Sequence, residues 1–275
     1  FDRPRVMGIL NLNDDSFSGD GTLDHSLATD KVRSMLAAGA DMIDVGAESA
    51  RTNRPAIPVE EEIRRLQPFL AGFAALVASA EPLDSQQLWP PLLSINTWRP
   101  EVVEAVLPVT GDILNDMGGL PDDRNARACA RAGAALLIMH TVGEPKIAQT
   151  DRTWPDLFAS LEGYFAEKIA LAEAAGMDRR AILIDPGIDF AKQMDDNLRI
   201  YARADQLAGF GRPVLMPISR KTVIGDVLGL PDPRDRDAGT IACMVACMMR
   251  LPATVFRVHN VAAAARAARV VHAVI

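Results

Sequence analysis

Cysteine, aromatic residues and long apolar runs are all scarce in this chain, and each shortage closes off a class of protein. Three Cys in 275 residues, at 129, 243 and 247, cannot make a disulfide framework. Cys243 and Cys247 stand four apart on an expected helix and so share one face. They read as two small buried residues, because a metal or redox pair needs further ligands nearby. No apolar run reaches the roughly 18 residues of a membrane span, and the first residues lack a signal-peptide pattern. A cytoplasmic protein with no membrane partner is the expectation. A net charge of −7 offers no general basic face for nucleic acid or an anionic membrane surface. A small anionic substrate stays open, since a few local cations decide that question. Also missing from the sequence is any Ser/His/Asp or Cys/His constellation of the kind nucleophilic catalysis uses.

What the chain does have is alternation. Short runs at Val6–Leu10, Met42–Val45, Leu92–Ile95, Ile113–Leu114, Ala135–Met139, Ile182–Ile184, Val214–Met216 and Thr254–Phe256 read as apolar throughout. That is the pattern of parallel strands covered on both faces. Between and after them, Ser26–Ala38, Glu60–Ala78, Pro100–Val106, Arg124–Ala132, Trp154–Ala175, Asp195–Ala208, Arg236–Met249 and Ala262–Ala273 space their apolar residues like helices. Glycine follows the last turn at Ala38-Gly39, Ala132-Gly133 and Ala175-Gly176. Eight strands alternating with eight helices predict an α/β protein, a (β/α)8 TIM barrel, with residues 1–275 as a single domain. A doubly wound open sheet satisfies the same alternation; only closure separates the two.

Chemistry gathers where the runs end. Asn11, Glu48, Asn96, Asn115-Asp116, His140, Asp185, Ser219-Arg220-Lys221 and Arg257-Val258-His259 each follow one run. In a parallel barrel these positions share the carboxyl rim, where such folds bind substrates. Arg220, Lys221, Arg257 and His259 come from the last two strands, a usual place for phosphate. Asn96, Asn115 and Asp185 offer paired donors and acceptors suited to the edge of a flat, nitrogen-rich heterocycle. His140 either lines the site or caps a loop, and Trp98 either walls the pocket or packs. His25 and His272 read as solvated surface residues.

Taken together, Met7-Gly8-Ile9-Leu10-Asn11 with Asp15-Ser16-Phe17-Ser18, Gly39 to Gly46, Glu48-Ser49, Leu114-Asn115-Asp116, Met139-His140, Ile184-Asp185-Pro186-Gly187, Ser219-Arg220-Lys221 and Arg257-Val258-His259 resemble the dihydropteroate synthase family, in its order and from near the first residue to near the last. The resemblance implies a cytoplasmic, homodimeric transferase that condenses 6-hydroxymethyl-7,8-dihydropterin diphosphate with 4-aminobenzoate for folate synthesis. It implies Mg²⁺ on Asn11, with Asn11, Arg257 and His259 holding the diphosphate. Asn96, Asn115, Asp185 and Lys221 would bind the pterin, with Lys221, Asp185 and Asn96 as the catalytic set. Ser219, Arg220, Phe17, Ala50 and Arg51 would shape the aminobenzoate side.

The chain also departs from that family. Asn96 stands where the family has Asp, a carboxylate that stabilises a pterin cation. A unit charge about 4 Å away is worth on the order of 4 kcal/mol at an effective dielectric near 20. In the first loop an Asp is displaced to Asp20, in the second Ala50 and Thr52 replace Thr and Pro, and Asn260 replaces Asp. The pterin and diphosphate residues are largely kept, while the aminobenzoate and cation-stabilising ones drift. Two alternatives follow: a paralogue that uses another arylamine or transfers a methyl group from a reduced pterin to a corrinoid, and a non-catalytic pterin-binding protein.

Overall fold

A computed structural model describes residues 3–14, 19–49, 54–147, 149, 151–251 and 253–274. The eight strands are β1 (Arg5–Asn11), β2 (Met42–Gly46), β3 (Leu92–Asn96), β4 (Ile113–Asp116), β5 (Ala135–Met139), β6 (Ile182–Asp185), β7 (Val214–Met216) and β8 (Thr254–Val258). Each lies parallel to its sequence neighbour, and β8 closes on β1 with Val6 opposite Phe256. Closure excludes the open sheet and makes the protein a (β/α)8 barrel.

Inside the barrel, Met7, Met42, Ile113, Leu137, Leu183, Leu215 and Val255 form their own buried cluster. Seven strands contribute one side chain each, which plugs the barrel toward the amino ends of the strands. Cutting one back, as in Leu215→Ala, would cost about 2–5 kcal/mol through the void left behind. Side chains alternate along a strand, so positions two residues further on also face inward. On β1, β2, β4, β5, β6 and β8 they are Ile9, Asp44, Asn115, Met139, Asp185 and Arg257, with Ser94 in the same layer on β3. The barrel is therefore apolar below and polar above.

This layering corrects one expectation. The second and third runs are not apolar throughout, because Asp44 and Ser94 lie on their inner faces with 0 % exposure. Outside the strands, the larger core packs the helices onto the barrel wall, with Leu36, Leu66, Phe165, Ile200 and Met244 among its fully covered members.

Helices α1 (His25–Ala37), α2 (Val59–Ala78), α3 (Pro100–Val106), α4 (Arg124–Ala132), α5 (Leu157–Ala174), α8 (Asp237–Met248) and α9 (Val261–Val274) match the expected segments to within a few residues, whereas α6 (Met194–Ala202) stops six residues short of Ala208, where a 3-10 helix, Ala204–Phe210, takes over. Gly133 ends α4 in the left-handed region at φ 70°. A further helix, α7 (Thr222–Leu228), lies outside the expected segments. It is two turns long, carries Gly225 near its middle and stops at Gly229, φ 67°. At Gly225 a side chain would run into the Arg236 guanidinium, so that glycine serves packing.

Candidate active site

The mouth of the barrel is organised around one buried carboxylate. Asp44 Oδ1 accepts from Ser94 Oγ (2.6 Å) and Asn115 Nδ2 (3.2 Å). Its Oδ2 accepts from Asn96 Nδ2 (3.1 Å) and from Arg257 Nε (2.7 Å). The contacts follow from register, since Asp44 lies opposite Ser94, Gly46 opposite Asn96, and Asn96 opposite Asn115. Gly46 leaves the space that Asn96 fills: a Cβ there would stand 3.3 Å from the Asn96 Cβ.

Across the barrel, Asp185 ends β6 and accepts from the Gly187 amide at 2.6 Å. Gly187 must be glycine, because its φ is +70° and a Cβ would lie 2.0 Å from the His140 carbonyl. Burial pushes the Asp185 carboxyl up to about 6, against the pull of that amide and of Lys221, Lys192 and Arg257. Lys221 reaches over the same loop, donating to the Ile188 carbonyl (2.8 Å) with its Nζ 5.3 Å from the Phe190 ring centre. Burial lowers the Lys221 pKa.

The last strand supplies the cationic side. Arg257 spends its Nε on Asp44; its two terminal nitrogens make no hydrogen bond among the described residues. His259 is tied to Ser219, with Nδ1 2.8 Å from the hydroxyl and the His259 amide donating to that same oxygen. Burial holds the His259 imidazole down at about 3, so the ring is neutral at ordinary pH. Its Nε2 lies 3.9 Å from Asp20, and Asn11 Nδ2 donates to Asp20 at 3.1 Å. The displaced first-loop Asp thus still meets Asn11 and His259.

Not every residue of the expected rim faces the mouth. Alternation turns Asp116 outward from β4, where it accepts from Asn125 (2.9 Å) and the Gly118 amide (2.8 Å) and burial raises it to about 6. Glu48 anchors the second loop through Arg99 (2.5 Å) and Lys146 (3.2 Å). Arg220 pairs with Asp237 at 2.8 Å, and Asn260 donates to that carboxylate at 2.9 Å, which an Asp at 260 could not do. So Arg220, Lys221, Arg257 and His259 do not form one cationic patch: Arg220 is diverted to Asp237, Arg257 reaches toward β2, and His259 is neutral. His140 braces the loop after β6 instead of lining the mouth. It is buried between Trp154 and Tyr164, with Nδ1 2.8 Å from Lys192 Nζ. Trp98 is half-buried and packs where a Gly118 side chain would go. His25 and His272 are exposed, Cys243 is half-buried, and burial pushes the Cys247 thiol up to about 12. Phe17, Ala50 and Arg51 lie outside the described residues.

Asp44, Ser94, Phe190 and Lys192 belong to this network although none of them directly follows a strand. For Asp44 a signal existed, a charge inside a run that had to be covered on both faces. Lys192 meets His140 from 52 positions away, which no local pattern reveals.

The chain matches the family described as pterin binding enzyme over residues 7–259. It is 37% identical to the dihydropteroate synthase of Escherichia coli (strain K12) over 273 residues, which covers 98% of this chain and 91% of that one. Among solved structures it resembles the Yersinia pestis dihydropteroate synthase in its sulfonamide drug complex, with TM-score 0.89, 32% identity, and 99% and 94% of the two chains covered. It also resembles the Xanthomonas albilineans enzyme in complex with 7,8-dihydropteroate, with TM-score 0.82, 35% identity, and 99% and 94% covered. With a family match across nearly its whole length and relatives this close, the chain belongs to the dihydropteroate synthase family of pterin binding enzymes.

Proposed function

We propose that this protein is a dihydropteroate synthase, a transferase joining 6-hydroxymethyl-7,8-dihydropterin diphosphate to 4-aminobenzoate with release of diphosphate. The reading is supported by relatives of that name and by one feature of the mouth: buried acceptors on one side, and on the other a guanidinium with unspent nitrogens beside His259. Asn115 Oδ1 is buried with no hydrogen-bond partner among the described residues. With Asp185 it offers acceptors to the amino and ring N–H groups of a pterin. Arg257 presents a charged fork, and His259, with Nδ1 accepting from Ser219, presents an Nε2–H to phosphate oxygens.

The methylene carbon–oxygen bond breaks and its electron pair leaves on the diphosphate. The aryl nitrogen then attacks that carbon and gives up a proton. Acceptors around the ring stabilise the positive charge that builds on it. Lys221 lies over the β6 loop beside Asp185 and helps fix the ring's edge. Asn11 and Asp20 supply hard oxygens for Mg²⁺, a fit for an ion that takes one or two protein ligands and completes its shell from water and substrate phosphate. When bound, the ion would offset charge on the leaving diphosphate. The family resemblance assigns Ser219, Arg220, Phe17, Ala50 and Arg51 to the aminobenzoate side.

Two further features belong to this reading. Val227, Leu228, Met249, Val270 and Val274 are exposed apolar side chains on or beside α7, α8 and α9, and the proposal includes a homodimer, which would cover such residues. No helix among the described residues is long and apolar enough to cross a membrane; a cytoplasmic location is part of the proposal and follows from the family resemblance. The test is to incubate the purified protein with pterin diphosphate, 4-aminobenzoate and Mg²⁺. Dihydropteroate and diphosphate should form in equal amounts; no product at high enzyme concentration would refute the assignment.

A further inference from the structure

Asp44 is the most heavily engaged polar side chain inside the barrel, yet it is wholly covered and makes no contact with solvent. A carboxylate accepts hydrogen bonds and does not donate them, so the amide atoms facing it must be nitrogens. Asn96 and Asn115 each place Nδ2 on Asp44, at 3.1 and 3.2 Å. Each carbonyl oxygen is therefore the amide atom turned away from Asp44. For Asn115 that oxygen is the buried, unpartnered acceptor already noted, in a residue only 2% exposed. An orphaned buried acceptor costs about 1–3 kcal/mol, so it points to a ligand that supplies the donor.

We propose that Asp44 determines specificity by locking both amides in one orientation, so that Asn96 and Asn115 present acceptors to the ligand. Asp44 is a positioning residue; it acts through the amides and through Arg257 and does not touch the pterin. An asparagine can present either end of its amide, and in this chain two such residues take part in recognition. The lock matters more here than it would with Asp at position 96, because a carboxylate offers oxygen whichever way it turns. Ser94, the fourth donor, holds Asp44 from below and meets neither amide. The consequence is a preference for ligand edges rich in N–H groups.

This inference rests on the pterin reading, and the experiment separates the two. Binding of 6-hydroxymethylpterin and of its 2-oxo analogue, which carries a carbonyl where the pterin has an amino group, is measured by calorimetry. The wild-type protein, Asp44→Asn and Ser94→Ala are compared. Wild type should prefer the amino compound, Ser94→Ala should keep that preference within about threefold, and Asp44→Asn should lose at least tenfold of it because its amides can flip. A folded Asp44→Asn protein with the preference intact overturns the role of Asp44. Failure of the wild type to bind the pterin at all overturns the functional reading instead. Should Asp44→Asn not fold, NMR of the wild type decides: the two side-chain amides must exchange slowly with solvent and show coupling across hydrogen bonds to the Asp44 carboxylate. Freely exchanging, flipping amides refute the lock.

Discussion

The Arg257 guanidinium and the Asp44 carboxylate meet at 2.7 Å from strands that lie 213 residues apart in sequence. The pairing uses Nε and aims the forked end of the arginine away from Asp44. Lysine cannot pair with Asp44 and fork a phosphate at once. Arg257→Lys is expected to raise KM for the pterin diphosphate about 10- to 100-fold, the loss of about 1.4–2.8 kcal/mol of binding. Steady-state kinetics on that substrate provides the check, and an unchanged KM would mean that the diphosphate binds elsewhere.

Asn96→Asp restores the family's carboxylate, but 3.1 Å from an Asp44 oxygen. Like charges that close oppose each other's ionisation. The new carboxyl should titrate above its ordinary range, and the variant should exceed the wild-type rate only at the alkaline end of the profile. Comparing pH–rate profiles of the two proteins tests this. A variant slower at every pH would argue that the amide is the better group here.

The pH dependence of the native enzyme should show Asp185. Its pKa is raised to about 6, so the carboxylate is lost as pH falls through that value. Protonation removes acceptor capacity, so kcat/KM for the pterin substrate should fall about tenfold per pH unit below the break. Asp185→Asn should be weak and lack that limb. A limb that persists in the variant belongs to another group.

Lys192 makes a stability prediction. Burial lowers its pKa to about 7 from an ordinary 10.5, so between those values the unfolded chain holds a proton that the native protein does not. Stability contributed by this group therefore rises with pH across that window. The difference in urea midpoint between wild type and Lys192→Met should shift in favour of wild type from pH 7 to pH 10. A difference that stays constant would show that Lys192 is charged throughout.

How much of this could be read from sequence varied with the physics of each feature. Barrel strands are covered on both faces, so their apolar runs stand out, and a glycine such as Gly133 marks a helix end because its backbone demands it. Helix α7 escaped because seven residues around Gly225 carry too little periodicity. The site was legible as a set of strand-end residues, but position after a strand does not say which way a side chain turns. Asn115 and Asp116 are adjacent, and alternation sends the first into the mouth and the second into the α4 packing. Asp44 was hidden inside an apolar run, although a lone charge in a strand buried on both faces is a sign of a built network.

The most direct measurement is a crystal structure with pterin diphosphate and an aminobenzoate analogue bound. The account predicts the ring's amino and N–H groups on Asp185 and on the Asn115 carbonyl oxygen, with the diphosphate on the free end of Arg257 and on His259. A ring bound away from Asn115, or a diphosphate that leaves Arg257 untouched, would contradict it.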